Sequence, residues 1–176
     1  MESIATRLTR LDHLTILILR PSSASEVGAV ARLMANFAVK RGVLVAPKCD
    51  INSADARSLA TGSSAVTLAT MSQTKNLNSA IAGSKVVIRV SQTQIGATSS
   101  AHKSQEVVDL EWLVERLSTE DVSMLFIADG ERLTDSEASQ CSHQLQLHVG
   151  SMMPDLKLSH SVAAILAQLI KTLVGA

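Results

Sequence analysis

Hydrophobic residues in the first third of this chain form two continuous runs separated by a segment of helical periodicity, within residues 14–48. The run LTILILR consists of leucine, β-branched residues and one terminal arginine, which is typical of a strand buried on both faces. Pro21 stops this run, and apolar residues then recur at helical spacing from Val30 to Phe37. The pattern predicts that Gly42 ends the helix and that GVLVA forms a second strand. A strand, a helix and a strand in this order predict a βαβ unit and therefore a parallel sheet.

The alternation of strands and helices continues to the end of the chain. Strands are predicted at residues 85–90, 122–128 and 143–149, with a short extended segment at 65–70. Helices are predicted at residues 53–62, 72–81, 105–117 and 159–174, and the polar segment 91–104 is predicted as a loop. Thr134 and Glu137 have the spacing of a capping box. These elements predict an α/β fold with a mostly parallel sheet and helices on both faces.

The last predicted helix is apolar over much more than one stripe. The apolar residues are Val162, Ile165, Leu166, Leu169, Ile170, Leu173 and Val174. Such a helix must be covered, either within the domain core or at a subunit interface. No apolar run reaches membrane-spanning length and no secretory signal is present, so we expect no membrane association.

Length and composition predict one folded domain. The 176 residues are enough for one well-filled core and too few for two ordinary domains. We expect this domain at residues 13–176, preceded by an N-terminal segment at 1–12. Hydrophobic residues make up 46% of the chain and charged residues 18%, as in globular proteins. Aromatic residues make up only 2%, which removes the usual base-stacking surface for single-stranded nucleic acid.

Cysteine usage and the N-terminal sequence bear on the compartment. Cys49 and Cys141 are too few for a disulfide scaffold, and no CxxC or CxxH pair predicts a metal site. Two reduced thiols are typical of a reducing compartment. Arginines and hydroxyl residues near the N-terminus resemble an organelle-targeting segment, whereas Glu2 and Asp12 are atypical of one. We expect an intracellular, non-secreted protein, either cytoplasmic or mitochondrial.

Charge is balanced overall and uneven along the chain. The net charge is zero, so there is no global basic signature for nucleic acid. Residues 1–48 contain seven Lys or Arg and three acids, whereas residues 104–137 contain ten acids and two Arg. This distribution predicts a polarised surface or two different neighbours.

Three segments, in order, resemble the motifs of the SpoU/TrmH class of SPOUT RNA methyltransferases. Residues 21–50 resemble motif one, residues 122–141 motif two and residues 155–170 motif three. The segment 53–66 resembles the alanine-rich region that follows motif one. Together these matches extend from about residue 12 to 172.

The resemblance implies a fold that periodicity alone does not predict. SPOUT domains thread the C-terminal segment through a loop, which makes a trefoil knot that binds S-adenosylmethionine. The family also forms dimers through the terminal and first helices. A homodimer, or a heterodimer with another SPOUT protein, would then cover the apolar surface of helix 159–174.

In motif one, the strand-ending proline, the glycine, the arginine and the following asparagine correspond to Pro21, Gly28, Arg32 and Asn36. The resemblance implies that Arg32 helps to activate a ribose 2′-hydroxyl, with Asn36 beside it. Ribose hydroxyls are weak nucleophiles, so they need a base or an electrostatic aid close to the methyl donor. The structural alternative is that Arg32 is a surface residue paired with a carboxylate. Glu26 stands where the family has asparagine.

Motifs two and three imply the cofactor contacts. By position these are Ile127, Ala128, Asp129, Gly130, Leu147, Val149, Leu156, Leu158 and Ser159. Ile127 stands where the family has a glycine whose backbone approaches the cofactor, so a branched side chain is expected to crowd the site. Asp155 and Lys157 replace the serine and asparagine of motif three.

Two main functional hypotheses follow from the resemblance. One is a tRNA or rRNA 2′-O-methyltransferase that uses S-adenosylmethionine. The other is a catalytically inactive RNA-binding or assembly factor, for instance in ribosome biogenesis, since framework residues persist while cofactor-contacting positions diverge. A small-molecule α/β enzyme ranks last, because no GxGxxG or P-loop motif follows any strand.

Structured RNA is the expected substrate or partner under both main hypotheses. The residues expected to contact it are Arg7, Arg10, Arg32, Lys40 and Arg41. Such contacts would go mostly to phosphates, with salt-sensitive affinity.

Overall fold

A computed structural model of the chain describes residues 3–95, 105–150 and 155–175. Seven strands form one sheet in which every pairing is parallel. The strands are β1 (Leu14–Leu19), β2 (Arg41–Val45), β3 (Ser72–Thr74), β4 (Val86–Gln94), β5 (Glu106–Val108), β6 (Val122–Ile127) and β7 (His143–Val149). The predicted α/β class with a parallel sheet is therefore confirmed.

The strand order is β3-β2-β1-β6-β4-β7-β5. The central strands are buried on both faces, which explains why LTILILR reads as a continuous apolar run. One face carries the larger core, which includes Ile16, Ile18 and Met124. The other face carries a smaller cluster around Leu17, Leu19 and Leu125.

Eight helices complete the described fold. They are α1 (Ile4–Leu8), α2 (Ala24–Asn36), α3 (Ala54–Leu59), α4 (Ser63–Thr70), α5 (Leu77–Ala80), α6 (Leu110–Arg116), α7 (Asp135–Ala138) and α8 (Leu158–Gly175), with a 3₁₀ helix at Thr9–His13 after α1. Ser23 caps α2 by accepting the Glu26 N–H. Thr134 and Glu137 form the predicted capping box of α7.

The expected end of α2 was wrong. The helix stops at Asn36, and Ala38 leaves it with a φ of 58°, in the left-handed region that glycine usually occupies. Gly42 instead lies inside β2, where a Cβ atom would be 2.9 Å from the Met34 Cε atom. Gly42 therefore leaves room beside the strand for the flexible side chains of Met34 and Met71.

Residues 53–81 also differ from the predicted elements. The first helix there ends at Leu59 rather than at Gly62, and residues 65–70 belong to α4 rather than to an extended segment. Packing of Leu68 in the core under α2 outweighs the strand propensity of this Val/Thr-rich segment. Residues 72–81 form β3 and the short α5 instead of one helix.

The predicted helix 105–117 is two elements. Asp109 accepts the Trp112 N–H and begins α6, so the preceding residues remain extended and pair with β7 as β5. Val107, which an amphipathic helix over 105–117 would place on its apolar stripe, lies on this strand instead, and 50% of it is exposed. β4 continues to Gln94, into the segment 91–104 predicted as a loop, and residues 96–104 of that prediction lie outside the described residues.

The terminal helix α8 confirms the prediction for residues 159–174. Its inner side enters the larger core through Val162, Leu166, Leu169 and Leu173, among others. By length and composition alone this helix would also be able to cross a membrane, but the helix packs in the core in the manner of a core helix. Most of its apolar excess is thus covered by its own domain.

The N-terminal segment packs on this helix. Leu11 is fully buried in the larger core, and Arg7 Nη1 donates a hydrogen bond of 3.2 Å to the Val174 carbonyl. The C-terminal end of α8 is thereby tied to the start of the chain.

Gly28 permits the contact between α2 and α3. A Cβ atom at Gly28 would lie 2.2 Å from the Ala56 carbonyl oxygen, which is backbone and has no rotamer by which to withdraw. We expect Gly28→Ala to lower the free energy of unfolding by about 1–3 kcal/mol, because the helices must separate. Urea unfolding followed by circular dichroism measures this change.

Gly175→Ala is the matched control, since nothing lies within 4 Å of the added Cβ. If Gly28→Ala is as stable as the Gly175 variant, close packing is not the role of this glycine.

Candidate functional site

A cavity of about 460 Å³ opens at the carboxyl ends of β4 and β6. Its walls come from three segments, which are the end of β4, the turn after β6 and the residues before α8. The lining residues are Arg89, Val90, Ser91, Gln92, Ile127, Ala128, Asp129, Gly130, Glu131, Asp155, Leu156, Lys157 and Ser161. Ligands of parallel sheets bind outside the carboxyl ends of the strands, so the position is that of a ligand site.

The structure brings together five of the nine residues that motifs two and three implied. These five line the cavity and are Ile127, Ala128, Asp129, Gly130 and Leu156. Leu158 lies in a small adjoining pocket with Ala128, and Ser159 is buried in the first turn of α8. Leu147 and Val149 are in the larger core and do not line the cavity.

The turn after β6 leaves room for a ligand. Ile127 was expected to crowd the site, yet it lines a cavity that remains open. Gly130 has a φ of 76°, which a residue with a side chain rarely adopts. The turn is therefore made by Gly130 and not by the position that Ile127 occupies.

Two carboxylates hold the N-terminus of α8. Asp129 Oδ1 accepts the Leu158 N–H at 3.0 Å, and Glu26 Oε2 accepts the Ser159 N–H at 2.9 Å. The first N–H groups of a helix have no partner within the helix, and its positive end favours anions. Asp129 and Glu26, the latter standing where the family has asparagine, thus have a structural role.

Gln92 fixes the segment that precedes α8. Its Oε1 atom accepts the Leu156 N–H at 2.6 Å, and its Nε2 atom donates to the Leu156 carbonyl at 2.8 Å and to Ser161 Oγ at 3.1 Å. Both backbone groups of Leu156 are therefore satisfied by one side chain of β4. This clamp was not foreseen, because residues 91–104 were predicted as a loop.

Arg20 ties the turn after β6 to the end of β1. Its Nε atom donates to Glu131 Oε2 at 2.9 Å, and its Nη1 atom donates to Glu137 Oε1 at 2.6 Å. Lys48 pairs with the other oxygen of Glu131. Arg20 has a φ of 50°, a left-handed conformation that these contacts hold in place.

These hydrogen bonds shift the pKa values of Arg20 and of its two carboxylate partners. The hydrogen bond from Arg20 lowers the pKa of the Glu137 carboxyl below its usual value. The hydrogen bond from Lys48, together with that from Arg20, lowers the pKa of Glu131. Both carboxylates also raise the pKa of Arg20, with Glu137 the stronger cause. Arg20, Glu131 and Glu137, here called the Arg20 cluster, are therefore charged at neutral pH.

Arg89 lies on β4 inside the cavity and is only 9% exposed. Its Nε and Nη2 atoms both donate to Gln144 Oε1 on β7, and Gln144 Nε2 donates to Ser91 Oγ at 2.6 Å. Burial lowers the pKa of Arg89, and burial raises the pKa of the nearby Cys141 thiol to about 11. In the sequence, the only sign of this buried arginine contact is the single arginine within the apolar strand VVIRV.

Arg32 and Asn36 lie on the exposed side of α2 and do not line the cavity of their own chain. Within the described residues, no hydrogen bond or ion pair holds the Arg32 side chain, so the predicted structural alternative of a carboxylate pair is not observed. The catalytic roles stay predictions.

The other residues expected to contact RNA lie at other parts of the surface. Lys40 pairs with Asp12 at 2.8 Å, and Arg41 pairs with Asp121 at 2.7 Å near the amino ends of the strands. Arg10 Nη1 donates to the Val114 carbonyl at 3.5 Å. The structure does not bring these side chains or Arg7 to the cavity, and their contact with RNA stays a prediction.

A larger groove of about 770 Å³ lies between β5, β7 and α8. It contains His148 and Gln146 but none of the residues that the motifs implied. Size alone therefore does not mark the site, and the chemistry of the motif residues favours the smaller cavity. No group of three His, Cys, Asp or Glu side chains suited to a metal occurs in the part of the chain that the structure describes.

Comparisons with known proteins agree on one fold. The tRNA (cytidine-2′-O-)-methyltransferase TrmJ of Sulfolobus acidocaldarius is 31% identical over 154 residues, which are 88% of this chain and 63% of that protein. This chain therefore spans less than two thirds of the length of that relative. No family model matches the chain.

Solved structures are similar over most of the chain. TrmJ from Z. mobilis has a TM-score of 0.76 at 21% identity and covers 89% of this chain and 68% of its own. The SpoU methyltransferase AviRb from Streptomyces viridochromogenes, in complex with AdoMet, has a TM-score of 0.68 at 11% identity. That match covers 92% of this chain and 61% of the AviRb chain.

The sheet, the cavity and the sequence relative define a SPOUT-type methyltransferase fold. The similarity of the chain to these proteins supports the SpoU/TrmH class of the SPOUT superfamily, which the three motifs predicted. The C-terminal knot is implied by that fold family. S-adenosylmethionine is the cofactor of this family.

The Arg20 cluster makes the stability of the fold depend on pH in the acid range. Folding lowers the pKa of Glu137, so its charged form stabilises the fold. This stabilisation is fully present above the usual pKa of 4.5 and is lost as the pH falls through the pKa of the folded state. We expect Glu137→Gln to lower the free energy of unfolding at neutral pH by about 1 kcal/mol. The variant should also lose less stability than the unmodified protein below pH 4.5.

Urea unfolding from pH 3 to 7 measures both effects. Glu115→Gln, which changes an exposed carboxylate on α6 that has no ion pair in the described structure, is the control. Parallel pH profiles for the Glu137 variant and the unmodified protein would contradict this role.

Proposed function

We propose that this protein is an S-adenosylmethionine-dependent RNA 2′-O-methyltransferase that acts on tRNA. The observation that carries the proposal is the open cavity formed where motif two and motif three meet at the carboxyl ends of β4 and β6. The sequence relative that is named as a tRNA (cytidine-2′-O-)-methyltransferase supports the reaction and the substrate class.

The residues around the cavity suit this cofactor. Leu156, Val90 and Ile127 offer apolar contacts for an adenine ring, while Asp129 and Asp155 offer negative charge beside a sulfonium and an ammonium group. When bound, S-adenosylmethionine supplies an electrophilic methyl group. The chain positions this group, excludes water from it and leaves one side open for the attacking ribose.

Arg32 supports a dimeric site. Its side chain is exposed and does not line the cavity of its own chain, so it serves the reaction only if another copy presents it. We propose a homodimer, or a heterodimer with a related SPOUT protein, in which exposed parts of α2 and α8 meet. In that arrangement the guanidinium lowers the pKa of the ribose 2′-hydroxyl electrostatically, and Asn36 orients the nucleotide.

RNA recognition is proposed to rest on phosphate contacts. Arg7, Arg10, Lys40 and Arg41 supply basic groups at the amino end of the sheet, and Lys157 supplies one at the rim of the cavity. Binding by such groups weakens as salt increases. The free thiols Cys49 and Cys141 fit a reducing intracellular compartment, cytoplasmic or mitochondrial, and no membrane partner is proposed.

The inactive assembly factor is the weaker alternative. Its basis was the divergence of motifs two and three, of which Ile127 was the strongest case. In the structure Ile127 leaves the cavity open, and Asp129 caps α8. The divergent positions therefore do not favour loss of the cofactor site.

The reaction itself tests the proposal. The purified protein, incubated with S-adenosylmethionine carrying a labelled methyl group and unmodified tRNA transcripts, is expected to form a labelled 2′-O-methylnucleoside. Arg32→Ala should slow methyl transfer by about 100-fold or more, because the hydroxyl loses its electrostatic aid. Nuclease digestion and mass spectrometry identify the product.

Arg57→Ala is the control, because Arg57 is also an exposed arginine, on α3. Full activity of the Arg32 variant would contradict its catalytic role. Absence of transfer by the unmodified protein to any tRNA, despite bound cofactor, would contradict the proposed substrate.

A further inference from the structure

Arg89 is a buried charge that pairs with no opposite charge among the residues that the structure describes. The guanidinium has five N–H donors, and only two of them are used in the described residues, both by the neutral amide oxygen of Gln144. Burying a cation is costly unless an anion pairs with it. Burial of Arg89 thus lowers the stability of the fold, and a bound anion would offset this free-energy cost.

No carboxylate in the described part of the chain takes that place. Three carboxylates line the cavity, but Glu131 is held by Arg20 and Lys48, and Asp129 by the Leu158 N–H. Asp155, the third, is exposed at the rim. In the described structure none of them forms an ion pair with Arg89.

The guanidinium is held in a fixed orientation. Gln144 is 2% exposed, lies opposite Arg89 in the register of β4 and β7, and donates to Ser91 through its amide nitrogen. Its oxygen therefore points to Arg89 and accepts from Nε and Nη2. The Nη1 atom has no partner in the described residues and is absent from the buried unpaired atoms, so it remains accessible from the cavity.

We propose that Arg89 binds the carboxylate of the methionine part of S-adenosylmethionine, with Gln144 and Ser91 as positioning residues. This inference rests on the proposed function, because it assumes that the cofactor occupies the cavity. A guanidinium favours a carboxylate geometrically, since two N–H groups can donate to its two oxygens. Arg89 would then select ligands that carry the amino-acid part.

Two ligands separate this role from general support of the cavity. S-adenosylhomocysteine carries the amino-acid part, whereas 5′-methylthioadenosine has the same adenosine and thioether without it. Calorimetric titration should show tighter binding of S-adenosylhomocysteine to the unmodified protein. Arg89→Met should lower the affinity for S-adenosylhomocysteine by about 10- to 100-fold, because a charge-assisted pair is lost. The affinity for 5′-methylthioadenosine should change by no more than about twofold.

A second variant keeps the test valid if Arg89→Met folds poorly. Gln144→Glu supplies Arg89 with a carboxylate of the chain, so the protein should be at least as stable, while a ligand carboxylate is repelled. This variant should again bind S-adenosylhomocysteine more weakly, while its affinity for 5′-methylthioadenosine is kept. Arg57→Met, an exposed arginine outside the cavity, should change neither affinity.

The outcomes are distinguishable. Equal affinity of both ligands for the unmodified protein, or equal loss of both in the variants, would overturn the role of Arg89 and leave the proposed function intact. Retained selectivity in Arg89→Met with weaker, less salt-dependent RNA binding would overturn it in favour of an RNA phosphate. Binding of neither ligand to the unmodified protein would refute the proposed function itself.

Discussion

The start of α8 depends on two carboxylates that come from distant parts of the chain. Glu26, in the first turn of α2, accepts the Ser159 N–H, and Asp129, after β6, accepts the Leu158 N–H. These contacts fix the direction in which α8 leaves the sheet. The segment before α8 is consequently held against the end of β4, where Gln92 clamps Leu156. The cavity exists because these three parts meet.

Two arginines at this end of the sheet differ in role: one is paired within the fold, and the other is available to bind a ligand. Arg20 reaches two carboxylates of the chain, and its role is completed within the fold. Arg89 is more deeply buried and faces the cavity, and its one hydrogen-bond partner in the described structure is a neutral amide. The same side chain therefore stabilises a turn in one case and is available for an anion in the other.

Sequence patterns predicted the elements whose burial follows directly from periodicity. β1, β2, β6, β7 and α8 were placed correctly, because continuous apolar runs and a long greasy helix leave few alternatives. Short elements were missed where tertiary contacts decide, as for α4 under α2 and for the division of residues 105–117 by the Asp109 cap. For the site, motif positions located Ile127 to Gly130 and Leu156, but the Arg89–Gln144 pair arises from strand register, which no local pattern encodes.

Amide hydrogen exchange of the unmodified protein, with and without S-adenosylhomocysteine, tests the location of the cofactor site most directly. The account predicts slower exchange in the turn at 127–131, in residues 155–159 and at the end of β4, since these backbone segments surround the cavity. Exchange at α3 and α4 should not change. Protection confined to the groove between β5, β7 and α8, or no protection at saturating ligand, would contradict it.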